Sequence, residues 1–148
     1  MVAKWMVGAV AALALCMAGC EHDGHSDGVP YKEAEHYFLR NDTDGSKVPV
    51  KIETRQEFDR HFGMAAVMGG LPTAIDFERE FVIAIVLPET NHSTTIHPGK
   101  LTDEGDSLKL EYGVSTGVEE NSWTQVPLSL LVVDKKYDRG EVVLSRKE

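Results

Sequence analysis

The sequence predicts an α+β fold dominated by β structure, an antiparallel sheet or sandwich of about six to seven strands with one packed helix at about 54–67. Three observations predict it. Short runs alternate apolar and polar residues with period two and end in Gly, Pro, Asn and Asp clusters, the pattern of strands and turns. One segment alone carries both a helix start and a helix stop. One seven-residue apolar run is rich in β-branched residues and is too short for a buried helix.

In chain order, His36-Tyr37-Phe38-Leu39 is a short aromatic run ending at Asn41-Asp42-Thr43-Asp44-Gly45, which reads as a strand entering a turn. Val48, Val50 and Ile52 alternate with Pro49, Lys51 and Glu53, the signature of a half-buried strand, and Pro49 restricts that strand to a sheet edge. Thr54-Arg55-Gln56-Glu57 is a capping box: a threonine side chain can accept from the third helical N–H while the glutamate reaches back. Phe58 and Phe62, four apart, share a face, and Gly69-Gly70-Leu71-Pro72 closes the helix.

Phe81 to Leu87 suits a strand buried on both faces. Thr94 to Leu101 and Leu108 to Val114 flank Thr102-Asp103-Glu104-Gly105-Asp106-Ser107 and read as an antiparallel hairpin. Pro127 to Val133 is a further apolar run, and Asp138-Arg139-Gly140 turns it into a terminal strand, Glu141 to Ser145, with Val142 and Leu144 on one face and Val143 on the other.

The amino terminus has another character. Lys4 supplies a positive start, Met6 to Leu15 an apolar stretch too short to cross a bilayer stably, and Met17-Ala18-Gly19 a small-residue approach to a cleavage point. This reads as an export signal. With Cys20 directly after it, the segment resembles the bacterial lipoprotein signal. That resemblance implies removal of residues 1–19, acylation of Cys20 with palmitate-type chains, and a lipid-anchored protein of the cell envelope, on the periplasmic or surface face of the outer membrane. Residues 20–30, glycine-rich and polar, read as the lipidated cysteine and a flexible tether, and 31–148 as a single globular domain. The acidic start of the tether resembles surface-exported lipoproteins of Bacteroidetes.

Of the 148 residues, 15 are Lys or Arg and 24 Asp or Glu. The signal carries Lys4 alone among charged side chains, so the mature part holds 14 basic against 24 acidic residues, a net charge of −10. Nucleic-acid binding runs on Lys and Arg contacts to phosphate, so this balance argues against it. The two cysteines are Cys16, inside the signal, and Cys20. The mature domain is therefore expected to have no disulfide, no Cys nucleophile and no thiolate metal site.

Three stretches, 52–63 from Ile52 to Gly63, 71–86 with its Pro72, Asp76 and Phe77, and 124–135 with its Pro-led apolar run, resemble the small PrcB-like lipoproteins associated with protease complexes. The resemblance covers roughly residues 47–135. It implies a non-catalytic accessory subunit that binds or stabilises a protein partner at the envelope. Where that family has a Thr-Gly-Gly-Tyr stretch, this chain has Thr90-Asn91-His92-Ser93-Thr94-Thr95.

Candidate chemistry is sparse. Gly113-Val114-Ser115-Thr116-Gly117 matches G-x-S-x-G, but a nucleophile elbow needs a strand-to-helix turn above a parallel sheet, and no capped helix follows. His22 and His25, with His36, Asp23 and Asp27, are the residue types that hold zinc-like ions, yet a glycine-rich tail loses entropy on ordering, and no metal site is expected. His92 and His97 lie five apart, on opposite faces of an extended chain. At Asn41–Gly45 the calcium-loop spacing would put Arg40 and Lys51 at ligand positions, so the segment is a turn. Glu78, Glu80, Glu119 and Glu120 form no pair that the sequence places across a cleft. Asn41-Asp42-Thr43 and Asn91-His92-Ser93 satisfy the N-glycosylation sequon, which a bacterial lipoprotein would not use, whereas Asp106-Ser107-Leu108 resembles the Bacteroidetes O-glycosylation acceptor, making Ser107 a candidate.

Trp123, the one tryptophan after the signal, lies in the acidic, irregular stretch 117–126. Together with Glu119, Glu120 and Gln125 it is the expected partner-facing patch, because exposed aromatics anchor interfaces; the alternative is that Trp123 folds back to cap the sheet. The sequence thus points to a non-enzymatic, lipid-anchored module without cofactor that binds a protein partner. The alternative is a small-ligand or carbohydrate binder of a nutrient-uptake system, with Trp123 as the stacking platform.

Overall fold

The computed structural model describes residues 28–65 and 68–148. Its elements are β1 (Lys32–Glu33), β2 (Tyr37–Leu39), β3 (Lys51–Ile52), α1 (Arg55–His61), β4 (Phe62–Met64), β5 (Glu80–Val86), β6 (Thr90–Asp103), β7 (Ser107–Gln125), β8 (Leu128–Asp134) and β9 (Glu141–Arg146). Short 3-10 turns occupy Gly45–Lys47 and Lys135–Tyr137. The fold is α+β and β-dominated, with one α-helix among the described residues.

Strand β5 is the centre. A four-stranded antiparallel sheet has the order β1-β8-β5-β3, and the alternating side chains of β5 feed two cores. Phe81, Ile83 and Ile85 meet Leu131 and Val133 of β8 and Leu101, Leu108 and Leu110 of a second sheet, ordered β6-β7-β9. Val82 and Ala84 meet Leu130 and Val132 together with Phe58 of α1, Phe62 and Ile75. Both faces of the run are buried, as its composition predicts. The result is three layers: sheet, central sheet, then helix with the short β2–β4 pair.

Helix α1 starts where the sequence places it, with the Thr54 hydroxyl accepting from the Glu57 N–H at 3.2 Å. It stops six residues short of the expected end. Phe62 is already extended, and β4 pairs with β2, Phe38 facing Gly63. The Phe38 ring occupies the space a Cβ on Gly63 would fill, so this glycine permits a pairing that outweighs helix continuation. Phe62 still joins the aromatic cluster, its ring 5.1 Å from that of Phe58, which lies 5.1 Å from Tyr37 and 5.6 Å from Phe77.

Other expectations change in detail. Among the described residues the strands number nine rather than about six to seven, because several are only two or three residues long. Strand β3 lies at a sheet edge, as Pro49 requires, but is confined to Lys51–Ile52, so the alternation breaks: Val48 and Ile52 face one core and Val50 the other. The folded body takes in the end of the expected tether, since Gly28 bridges to Thr102 and Val29 is buried, donating its N–H to Leu101 at 2.7 Å. Strand β9 does not return beside β8, whose edges are already taken by β1 and β5. It crosses to the other sheet and pairs in parallel with β7. Its Val142 and Leu144 face the core and Val143 faces out, as the pattern predicts.

Lys51 clasps this crossing. Its ammonium lies 2.6 Å from Asp138, 3.2 Å from Glu53 and 3.1 Å from the Gly140 carbonyl, above the Phe81 ring. Burial disfavours both charges, yet the hydrogen bonds and attraction from Asp138 and Glu53 hold the Lys51 ammonium above its ordinary value. For Asp138 burial is likewise outweighed, by Lys51 and the Gly140 N–H, and the carboxyl titrates lower than usual.

Candidate functional site

The hairpin of β6 and β7 grows from the adjoining ends of β5 and β8 and folds back over the central sheet. Its turn half is regular from Thr95↔Ser115 to Pro98↔Tyr112 and, after one shift, from Leu101↔Leu110 to Asp103↔Leu108. Its root is not. The two steps from Thr94 to His92 are matched by four from Thr116 to Glu120, and the two from His92 to Thr90 by five from Glu120 to Gln125. The surplus residues belong to β7, which bows outward there. Among the described residues no third strand restrains this root, because β9 pairs only with Ser107–Tyr112.

Side chains brace the bulges. The Gln125 amide donates to the carbonyls of His92 at 3.1 Å and Thr94 at 3.3 Å. The Thr90 hydroxyl accepts from the His92 N–H, His92 Nδ1 donates to the Gly117 carbonyl at 3.1 Å, and the Asn121 amide donates to Ser93 Oγ. Ladder groups freed by the mismatch thereby regain partners. On the bowed strand Val118 is 94% and Trp123 54% exposed, with Glu119 and Glu120 also in solvent. Trp123 does not fold back to cap the sheet.

The expected patch therefore divides. Trp123, Glu119 and Glu120 face outward, whereas Gln125 is half-buried and its amide is engaged with backbone, so it positions the arm instead of meeting a partner. The stretch is also not an irregular loop: up to Gln125 it belongs to β7, because Glu120 pairs with His92 and Gln125 with Thr90. Val118 escaped notice because one valine between glycine and glutamates carries no sequence signal. It stands out only once the bulge turns it outward.

Beside the root runs a groove of about 620 Å³, whose walls include Phe38, Asn41, Glu89, Thr124 and Gln125. It adjoins a second cavity of about 540 Å³ through Leu39, Asn41, Glu89 and Val126. Thr124 Oγ1 donates to Glu89 at 2.8 Å across the root, and Phe38 is 44% exposed. Trp123 lines neither cavity.

The remaining candidates fall into place. Gly113–Gly117 lies within β7, not in a strand-to-helix turn. Ser115 Oγ nonetheless sits 2.6 Å from His97 Nε2 across the hairpin. The pair lies on an exposed strand surface, lines neither cavity, and has no orienting group at Nδ1 among the hydrogen bonds of the described residues, so the triad geometry is missing. His92 and His97 each bind a different residue of β7. Asn41–Gly45 is a turn in which the Thr43 N–H donates to the Arg40 carbonyl. Ser107, half-buried, opens β7 beside Gly105, whose φ of 94° makes the turn. Cys20, His22, His25, Asp23 and Asp27 lie outside the described residues. Among the described residues no helix is long and apolar enough to cross a membrane, and no group of three His, Cys, Asp or Glu could hold a metal ion.

Comparison with protein-family models, with curated proteins and with solved structures gives no match for this chain.

Proposed function

We propose that the chain is a non-enzymatic recognition module, lipid-anchored through Cys20 at the cell envelope, that binds a protein partner with the bowed root of its long hairpin. One observation carries this reading: Val118 and Trp123 are held in solvent, beside Glu119 and Glu120, by a braced backbone whose bulges serve no core. Large apolar side chains that contribute nothing to the interior while occupying a fixed surface are what interface anchors require. The resemblance of residues 47–135 to PrcB-like lipoproteins supports a partner that is a protease or its complex. The acidic flank favours a basic surface on that partner.

The groove beside the root favours the second reading, a saccharide ligand, since Phe38 offers an apolar ring next to the polar groups of Asn41 and Glu89. Affinity capture from native membranes with the wild type and Trp123→Ala separates the two. A stoichiometric protein partner lost in Trp123→Ala supports the first. Binding to a glycan array that survives Trp123→Ala and is lost in Asn41→Ala supports the second and overturns the first. Fatty-acid labelling tests the anchor: label absent from Cys20→Ala and present in the wild type is expected, and an unlabelled wild type would refute anchoring.

A further inference from the structure

Among the described residues four strand edges bound the two main sheets, and three of them are protected. Strands β1 and β3 are two residues long, and Pro49 precedes β3. Strand β6 contains Pro98, carries three register shifts along its pairing with β7, and is bridged by Gly28 and Val29. These are the usual means by which edges avoid pairing with other chains. Strand β9 has none of them: six regular residues without proline or bulge, in register with β7 throughout, and Val143 43% exposed.

Which groups β9 offers follows from one bond. The Lys147 N–H donates to the Tyr112 carbonyl of β7 at 2.8 Å. By period two, Ser145, Val143 and Glu141 also turn their backbone groups toward β7, and Val142, Leu144 and Arg146 turn theirs away. No strand among the described residues pairs with that outer side.

We propose that a second copy of this chain occupies the edge, the two β9 strands pairing antiparallel about a twofold axis at Leu144 and fusing two three-stranded sheets into one of six strands. Two-fold pairing that keeps both cores on the same side of the sheet must oppose residues of equal parity. Centring on Val143 would place Arg139, already held by Asp103 at 2.7 Å, against Lys147 of the second copy, and would leave Glu141 facing the uncharged Ser145. Centring on Leu144 pairs Val142 with Arg146 and Leu144 with itself through their outward backbone groups. It also sets Val143 beside Ser145 on the outer face, and Glu141 opposite Lys147 at both ends, where the Lys147 ammonium, 2.9 Å from Glu111 of its own chain, would bridge two carboxylates. Of these two registers, the one centred on Leu144 brings opposite charges together across the edge.

The full chain in detergent, followed by sedimentation and amide exchange over a dilution series from millimolar to micromolar, tests this. The expected result is a species of twice the chain mass in which the amides of Val142, Leu144 and Arg146 become protected as it forms. Glu141→Lys and Lys147→Glu should each weaken the dimer about tenfold, and the double exchange should restore it, because the end pairs are then reversed instead of lost. A chain that stays monomeric at millimolar concentration overturns the proposal. So does a dimer in which those three amides exchange as in the monomer, or one indifferent to both single charge reversals.

Discussion

The two ends of one hairpin contrast sharply. Toward the turn, β6 and β7 bury Leu101, Leu108 and Leu110 against β5 and recover their register after the shift at Pro98. Toward the root the same two strands lose register twice and expose Val118 and Trp123. Burial makes the difference: where one face is in the core, a slip of one residue would expose every apolar side chain, whereas an unburied ribbon pays no such penalty and can bow. The root is thus the part of the hairpin whose shape is not dictated by the core, and there a surface can be adapted to a partner.

Substitutions should separate the two ends. Leu110→Ala is expected to destabilise the fold by about 2–5 kcal/mol, read from denaturant unfolding. Lys51→Ala, which leaves Asp138 half-buried beside the crossing into β9, should cost about 1–2 kcal/mol in the same assay. Gln125→Ala removes the brace at the root and should cost about 1 kcal/mol, with faster amide exchange confined to Thr90–Thr94 and Thr116–Thr124. Val118→Ala should change stability by no more than about 0.5 kcal/mol. Equal costs at Leu110 and Val118 would erase the contrast.

The Lys51 clasp also sets a pH profile. Asp138 titrates below its ordinary 3.8 in the folded chain, so the stability it lends is complete above that value and is lost as pH falls through the lower folded value. Lys51 titrates above 10.5 when folded, so its share is complete below that value and is lost as pH rises through the higher folded one. Thermal melts of wild type and Lys51→Ala should therefore differ most between these limits and converge outside them.

Much of the fold was legible because local chemistry and burial agree. The apolar run of β5, the Thr54 cap, the hairpin turn at Gly105 and the edge position forced by Pro49 each follow from residues near in sequence. What escaped depends on partners far along the chain. The end of α1 is decided by Phe38 settling over Gly63, and the place of β9 by the occupied edges of β8. The bulges exist only as a mismatch of length between two strands, which neither strand's sequence reveals. For the candidate site, aromatic character alone singled out Trp123. Gln125 looked like its neighbour in function until its amide was seen to hold the backbone.

The most direct measurement places a photo-crosslinking amino acid at position 118 or 123 of the root, and at position 106 in the hairpin turn, in cells bearing the native envelope. Adducts to one and the same protein from 118 and 123, and none from 106, are expected of a recognition surface at the bowed root. Adducts from 106 alone, or from all three positions alike, would contradict it.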